Sequence, residues 1–124
     1  MIQSFENFKE NIISEISGLI AFSVTEIATG ASYVHHSNDE NFDVETEASF
    51  NLEVLKAKVR AVKSLGLSER ILDIVTTFEN QIHIIDVSED ASYFIYLAID
   101  SKYGNLLITR SLLSKFKQNL VVEF

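Results

Sequence analysis

Three segments with helical periodicity, five short runs rich in β-branched and aromatic residues, and turn residues between consecutive runs point to an α+β sandwich. The expected order is α-β-β-α-β-β-β-α. The expected architecture is a five-stranded antiparallel sheet with helices on both faces, built by a single domain over residues 1–124. Hydrophobic residues make up 47% of the chain, so a protein of this length can bury a core without a metal or disulfide staple.

Residues 2–16 place Ile2, Phe5, Phe8, Ile12, Ile13 and Ile16 on one face. Glu6, Asn7, Glu10, Asn11 and Ser14 lie opposite, which predicts an amphipathic helix ended by Ser17-Gly18. Leu19 to Glu26 is apolar on both sides, as in an inner strand. A turn at Ala28-Thr29-Gly30 leads to a shorter strand containing Tyr33 and Val34. The acidic stretch 37–45 reads as a loop, and the middle helix follows over roughly 45–65. Gly66 stands where a left-handed residue ends a helix, with Leu67 placed for the accompanying apolar contact. Runs at 71–78, 81–87 and 92–99 are separated by Glu79-Asn80 and Ser88-Glu89-Asp90, predicting an antiparallel meander. Asn105 is the expected N-cap of the last helix. Its apolar stripe reads as Ile108, Leu112, Leu113, Phe116 and Leu120, with Arg110, Ser111, Ser114 and Lys117 facing away, and VVEF closes the chain.

The middle helix is unusual. A helix lying on one core needs one apolar stripe, and "SFNLEVLKAKVRAVKSLG" has two. Ala48, Leu52, Leu55, Val59 and Val62 form one. Phe50, Val54, Ala57, Ala61 and Leu65 form the other, roughly opposite, and Glu53, Lys56, Arg60 and Lys63 fill the sector between. Either both stripes are buried within one subunit, or one packs on the sheet and the other on a second subunit. The end helices already need the sheet for their own stripes, which favours the second arrangement. The larger aliphatics suit the sheet, and Ala57 and Ala61 permit close approach to a symmetry mate. Phe50, Val54, Ala57, Ala61 and Leu65 are therefore the expected interface of a homodimer, although periodicity alone also allows the stripes to be exchanged.

Composition narrows the chemistry. A net charge of −8 argues against nucleic acid, which is held by clustered Lys and Arg. The absence of cysteine excludes disulfides, thiolate metal sites and a cysteine nucleophile, and leans towards a reducing compartment. The N-terminus has neither the basic region nor the apolar region of a signal peptide. No run is long enough to span a bilayer, so no membrane insertion and a cytoplasmic location are expected.

His35-His36, near Asp39, Glu40 and Asp43, has the residue types of a metal site. Adjacent strand residues point to opposite faces, however, and cannot readily chelate one ion. His83 reads as a satisfied or edge-facing histidine rather than a general base. Asp73 and Asp86 interrupt strands and read as marking the solvent face or a strand end. Arg60, Arg70 and Arg110 are the only arginines, and Arg60 and Arg110 lie on helix flanks where solvation is the default. There is no nucleophile elbow and no glycine-rich phosphate loop. No catalytic, cofactor-binding or metal-ligating residue is predicted, and the chain is expected not to be an enzyme.

Three stretches carry a family resemblance. "ISGLIAFSVTEIATGASYV" looks like the first hairpin of the Roadblock/LC7 family, where one Gly opens an apolar strand and a second turns it. The middle helix with "SLGLS" occupies the place of that family's dimer helix. "YFIYLAIDSKYGNLLITRSLLSKF" is similar to its last strand, Asn-initiated helix and following Arg. The resemblance runs from about residue 5 to residue 120 and departs in the acidic loop 39–47. It implies a profilin-like sandwich that dimerises through the middle helix and its neighbouring strand. It also implies a non-catalytic scaffold that binds and modulates a small Ras-like GTPase or a larger complex, as bacterial family members do in motility and polarity systems. The alternative is a small-ligand sensor domain of profilin-like or PAS-like shape. That reading needs polar residues along the core stripes, whereas the stripes of the first and last helices read as uniformly apolar.

Overall fold

A computed structural model describes residues 5–118 and 120. The elements are α1 (Phe5–Glu15), β1 (Leu19–Glu26), β2 (Ser32–Ser37), α2 (Val44–Ser64), β3 (Asp73–Thr77), β4 (Gln81–Val87), β5 (Tyr93–Asp100) and α3 (Leu106–Lys117). This is the expected order. The five strands form one sheet in the order β2-β1-β5-β4-β3, and every neighbouring pair is antiparallel. Ile2 and the VVEF segment lie outside the described residues.

β5 is the centre of the sheet and is buried on both faces. Tyr93, Ile95, Leu97 and Ile99 face α1 and α3, where they meet Phe8, Ile12, Phe22, Leu113 and Phe116. Phe94, Tyr96 and Ala98 face α2, where they meet Ala21, Leu52, Leu55 and Ile85. β1 reaches the same two cores through an irregularity. Its register against β5 shifts between Leu19 and Ala21, so that Leu19 opposes Ile99 and Ala21 opposes Ala98. The extra residue reverses the alternation: Leu19 serves the α1/α3 core, and Ile20 and Ala21 both serve the α2 core.

Local chemistry explains the ends of α2. Asp43 caps it, accepting from the Thr46 amide at 3.2 Å and from the Thr46 hydroxyl at 2.7 Å. The helix therefore begins at Val44, slightly inside the stretch expected to be loop. At its other end the Leu67 amide donates to the Val62 carbonyl and the Gly66 amide to the Lys63 carbonyl. With Gly66 at φ +70, this is the Schellman closure.

Gly18 and Gly104 join the α1–β1 and β5–α3 connections. A Cβ on Gly18 would sit 2.8 Å from the Gly104 nitrogen and 2.9 Å from the Asp100 carbonyl oxygen, at φ +74.

The stripes of the outer helices need two corrections. Ile13 and Ile108 are exposed, the latter at 61%. In α3 the inward line runs through Leu106, Thr109, Leu113 and Phe116, so Thr109, 2% exposed, takes the place assigned to Ile108. The α3 stripe is thus not uniformly apolar. The rest of the stripe stands as expected: Leu113, Phe116 and Leu120 are buried and Leu112 is half-buried.

Candidate interaction surface

The two stripes of α2 meet different surroundings. Ala48, Leu52 and Leu55, with Val44, are buried on the sheet. The stripe then runs off the core: Val59 is exposed and Val62 half-buried. None of the five residues expected at the dimer interface is buried. Phe50 is 64% exposed, Val54 46% and Leu65 73%, and Ala57 and Ala61 are open as well. They form a continuous outward stripe on one helix.

Neighbouring features continue this surface. α2 lies over β1 and β2, so the β4–β3 part of the same face is less covered. There Ile74, Thr76 and His83 share a face with Ile85, because Ile74 opposes Ile85 and Thr76 opposes His83. β3 pairs only with β4 among the described residues, leaving its other edge open. Leu72 and Phe78, which flank β3, are both exposed.

His83 is held by its surroundings. Its Nε2 lies 2.8 Å from the Gln81 side-chain oxygen and its Nδ1 3.2 Å from the Tyr96 hydroxyl. The rings of Phe42, Phe78 and Tyr96 surround it, with centroids at 6.2, 4.7 and 5.5 Å. Burial lowers the His83 pKa and raises that of Tyr96. Neutral imidazole with its proton on Nε2 satisfies both bonds: Nε2–H donates to Gln81, and the Tyr96 hydroxyl donates to Nδ1. The expected satisfied histidine is what the structure shows.

The other singled-out residues are separated. His35 reaches Glu45 at 3.1 Å. His36 is 2.7 Å from the Asn38 side-chain oxygen and lies against Phe22. The two imidazoles do not converge, and no three His, Asp or Glu come together as a metal site among the described residues. No helix among these residues is long and apolar enough to cross a membrane.

Arg110 needs correction, and Asp73 and Asp86 do in part. Asp73 opens β3 and Asp86 stands one residue from the end of β4, so both mark strand ends; they are directly paired, and both turn towards α3 rather than to solvent. Arg110 grips Asp73 through two hydrogen bonds at 2.9 and 3.0 Å. Lys117 meets Asp86 at 2.7 Å. Burial raises the Asp86 pKa, opposed by Lys117. The signal available in the sequence is two acids inside strands and two cations seven residues, or two helical turns, apart.

No protein-family profile and no curated protein sequence matches the chain. Solved structures do. MglB of Myxococcus xanthus superposes with TM-score 0.77 at 12% identity, covering 94% of each chain. The gliding protein MglB of Thermus thermophilus gives 0.74 at 15% identity, covering 92% of this chain and 82% of the other. A Roadblock/LC7 domain from Streptomyces avermitilis gives 0.75 at 7% identity, covering 94% of both. At such identities the likeness speaks for architecture alone, and the architecture of this chain is Roadblock/LC7-like.

Proposed function

We propose that residues 1–124 act in the cytoplasm as a non-catalytic dimeric module that binds and modulates a small Ras-like GTPase. The observation that carries the dimer is the outward stripe of α2. Burying side chains such as Phe50, Val54 and Leu65 is worth about 1.5–3 kcal/mol each, and this chain leaves them in water. The open edge of β3 lies on the same side of the sheet's centre as the less covered β4–β3 face, so a second copy can add to both.

The GTPase rests on the resemblance to Roadblock/LC7 domains and on an architecture shared with MglB, a gliding protein. A chain with net charge −8 suits a partner with a basic face, and their association slows as salt rises. Light scattering at micromolar concentration should give twice the 14.0 kDa monomer mass. Capture from the native lysate, with and without a GTP analogue and with mass-spectrometric identification, should recover a GTPase in one nucleotide state. A particle of monomer mass removes the dimer. Capture that recovers no GTPase in either state, or tight GTP binding by the isolated chain, removes the regulatory reading.

A further inference from the structure

Away from the outward stripe, the second half of α2, the 67–71 loop and the β4–β5 turn enclose an open groove of about 670 Å³. Its floor is apolar, formed by Leu55, Val59, Ile71 and Val87. Its rim carries Lys56, Arg60, Lys63 and Arg70 against Glu69 and Glu89. Four of the chain's ten basic side chains thus line one groove of a protein whose net charge is −8. None of the four is engaged in an ion pair among the described residues, whereas Arg110 and Lys117 are.

The spacing of these cations indicates the shape of what they meet. Lys56, Arg60 and Lys63 recur at four and three residues along one flank of α2, spanning roughly 10 Å at 1.5 Å per residue. A complementary ligand has an apolar body and several anionic groups at the same pitch. A fatty-acid anion supplies one carboxylate for four cations, and a nucleotide lacks the apolar stripe. An amphipathic helix with leucines on one face and acids at i, i+4 and i+7 on its flank supplies both.

We infer that this groove docks an acidic amphipathic helix of a partner protein. The apolar face of that helix covers Leu55, Val59 and Ile71, and its carboxylates meet Lys56, Arg60 and Lys63. None of the groove's residues belongs to the outward stripe, so the site does not depend on the proposed dimer or on a GTPase.

The test uses a stapled helical peptide with that leucine stripe and three glutamates, its counterpart with lysines in place of the glutamates, and oleate. Fluorescence anisotropy should show the glutamate peptide binding and weakening as salt rises. The lysine peptide should bind at least about tenfold more weakly. The variant Arg60→Glu with Lys63→Glu should lose about tenfold for the glutamate peptide, since both substitutions sit on an exposed flank and act by repulsion. Amide shifts of the wild-type protein should move at 55–71 and 87–91, which keeps the test decisive should the variant fold poorly. Equal binding of the two peptides, no loss in the double variant, shifts confined to the outward stripe, or binding of oleate alone would overturn the assignment.

Discussion

On the face that carries α1 and α3, the sheet is closed by two helices, and large side chains from both sides fill the space between: Phe8, Ile12, Phe22, Leu97, Leu113 and Phe116 are all buried. Two ion pairs, Asp73–Arg110 and Asp86–Lys117, fasten α3 over β3 and β4. On the other face one helix does the covering, and it covers β1 and β2. Beneath it the floor contains small and polar residues, including Ala21, Ser23, Thr25 and Ala98. Above it the outward stripe is uncovered, and beside it the groove is open. The first face uses its apolar surface to hold the fold. The second leaves a large share uncovered, which is the surface on which the proposed association rests.

The largest expected effect falls on the second face. Ala57→Glu places a carboxylate where two copies of α2 are expected to approach most closely, and symmetry repeats it. An uncompensated buried charge of this kind costs about 3–5 kcal/mol, so light scattering should show monomer. The circular dichroism of the monomer should be unchanged, because residue 57 is exposed in it. A variant that stays dimeric shows that the outward stripe is not the interface.

Next comes a matched pair of truncations. Leu113→Ala, at a fully buried site, should cost about 2–5 kcal/mol in urea unfolding. That cost should be the same at every protein concentration. Val54→Ala should cost under about 0.5 kcal/mol in dilute solution and become costly only where dimer forms. Equal, concentration-independent costs would erase the distinction between the faces.

The ion pairs give a smaller effect with a pH signature. Lys117→Met leaves Asp86 with burial and without its cation, at a cost of about 1–3 kcal/mol once partial solvent access is allowed for. Burial already raises the Asp86 pKa. A carboxyl raised on folding favours the folded state below its unfolded value, and that advantage is lost as pH rises through the folded value. The deficit of Lys117→Met relative to wild type should therefore shrink on acidification to about pH 4. Asp86→Asn should largely remove it at neutral pH. A deficit independent of pH would assign Lys117 to packing by its aliphatic stem.

On the open face the sign is reversed. Burial lowers the His83 pKa below 6.5, so the stability that neutral His83 contributes is complete above that value and lost as pH falls through the depressed one. Protonation also turns Nδ1 from acceptor into donor, so it no longer receives the Tyr96 proton. Denaturation midpoints followed from pH 7 to 5 should fall less steeply for His83→Gln than for wild type. Parallel curves would show that His83 is as solvated folded as unfolded.

How much of this is legible in the sequence follows the same division. The order of elements, the Asn105 cap and the Gly66 closure are local and readable, because turn and capping chemistry acts over a few residues. The α2 stripes are readable because period 3.6 survives any tertiary context, and the five outward residues stand where the pattern puts them. The start of the α3 stripe is not: Ile108 and Thr109 are adjacent, and which of the two faces the sheet is invisible until the strands are placed. Asp73 and Asp86 are read as strand-end residues, but that they turn to cations on α3 is hidden for the same reason. The groove escapes because the Lys56–Arg60–Lys63 flank looks like ordinary solvation until the 67–71 loop folds back beside it.

The smallest effect concerns the floor under α2. The hydroxyls of Ser23 and Thr25 are buried there without a hydrogen-bond partner among the described residues. Ser23 stands opposite Tyr96 and Thr25 opposite Phe94, on the face that α2 covers. A buried hydroxyl left unpaired forfeits its hydration, whereas an apolar group of the same shape does not. Valine keeps the β-branch that suits a strand. Thr25→Val should therefore stabilise the protein by about 0.5–1 kcal/mol, raising Tm by a few degrees. Ser23→Ala should gain less, because the lost oxygen leaves a small void. No such gain is available on the opposite face by replacing Leu97 or Ile12, where packing is already apolar. If Thr25→Val destabilises instead, the hydroxyl is paired in solution, by water or by a bound group reaching beneath α2. The open face would then be wetter than the closed one right down to the sheet.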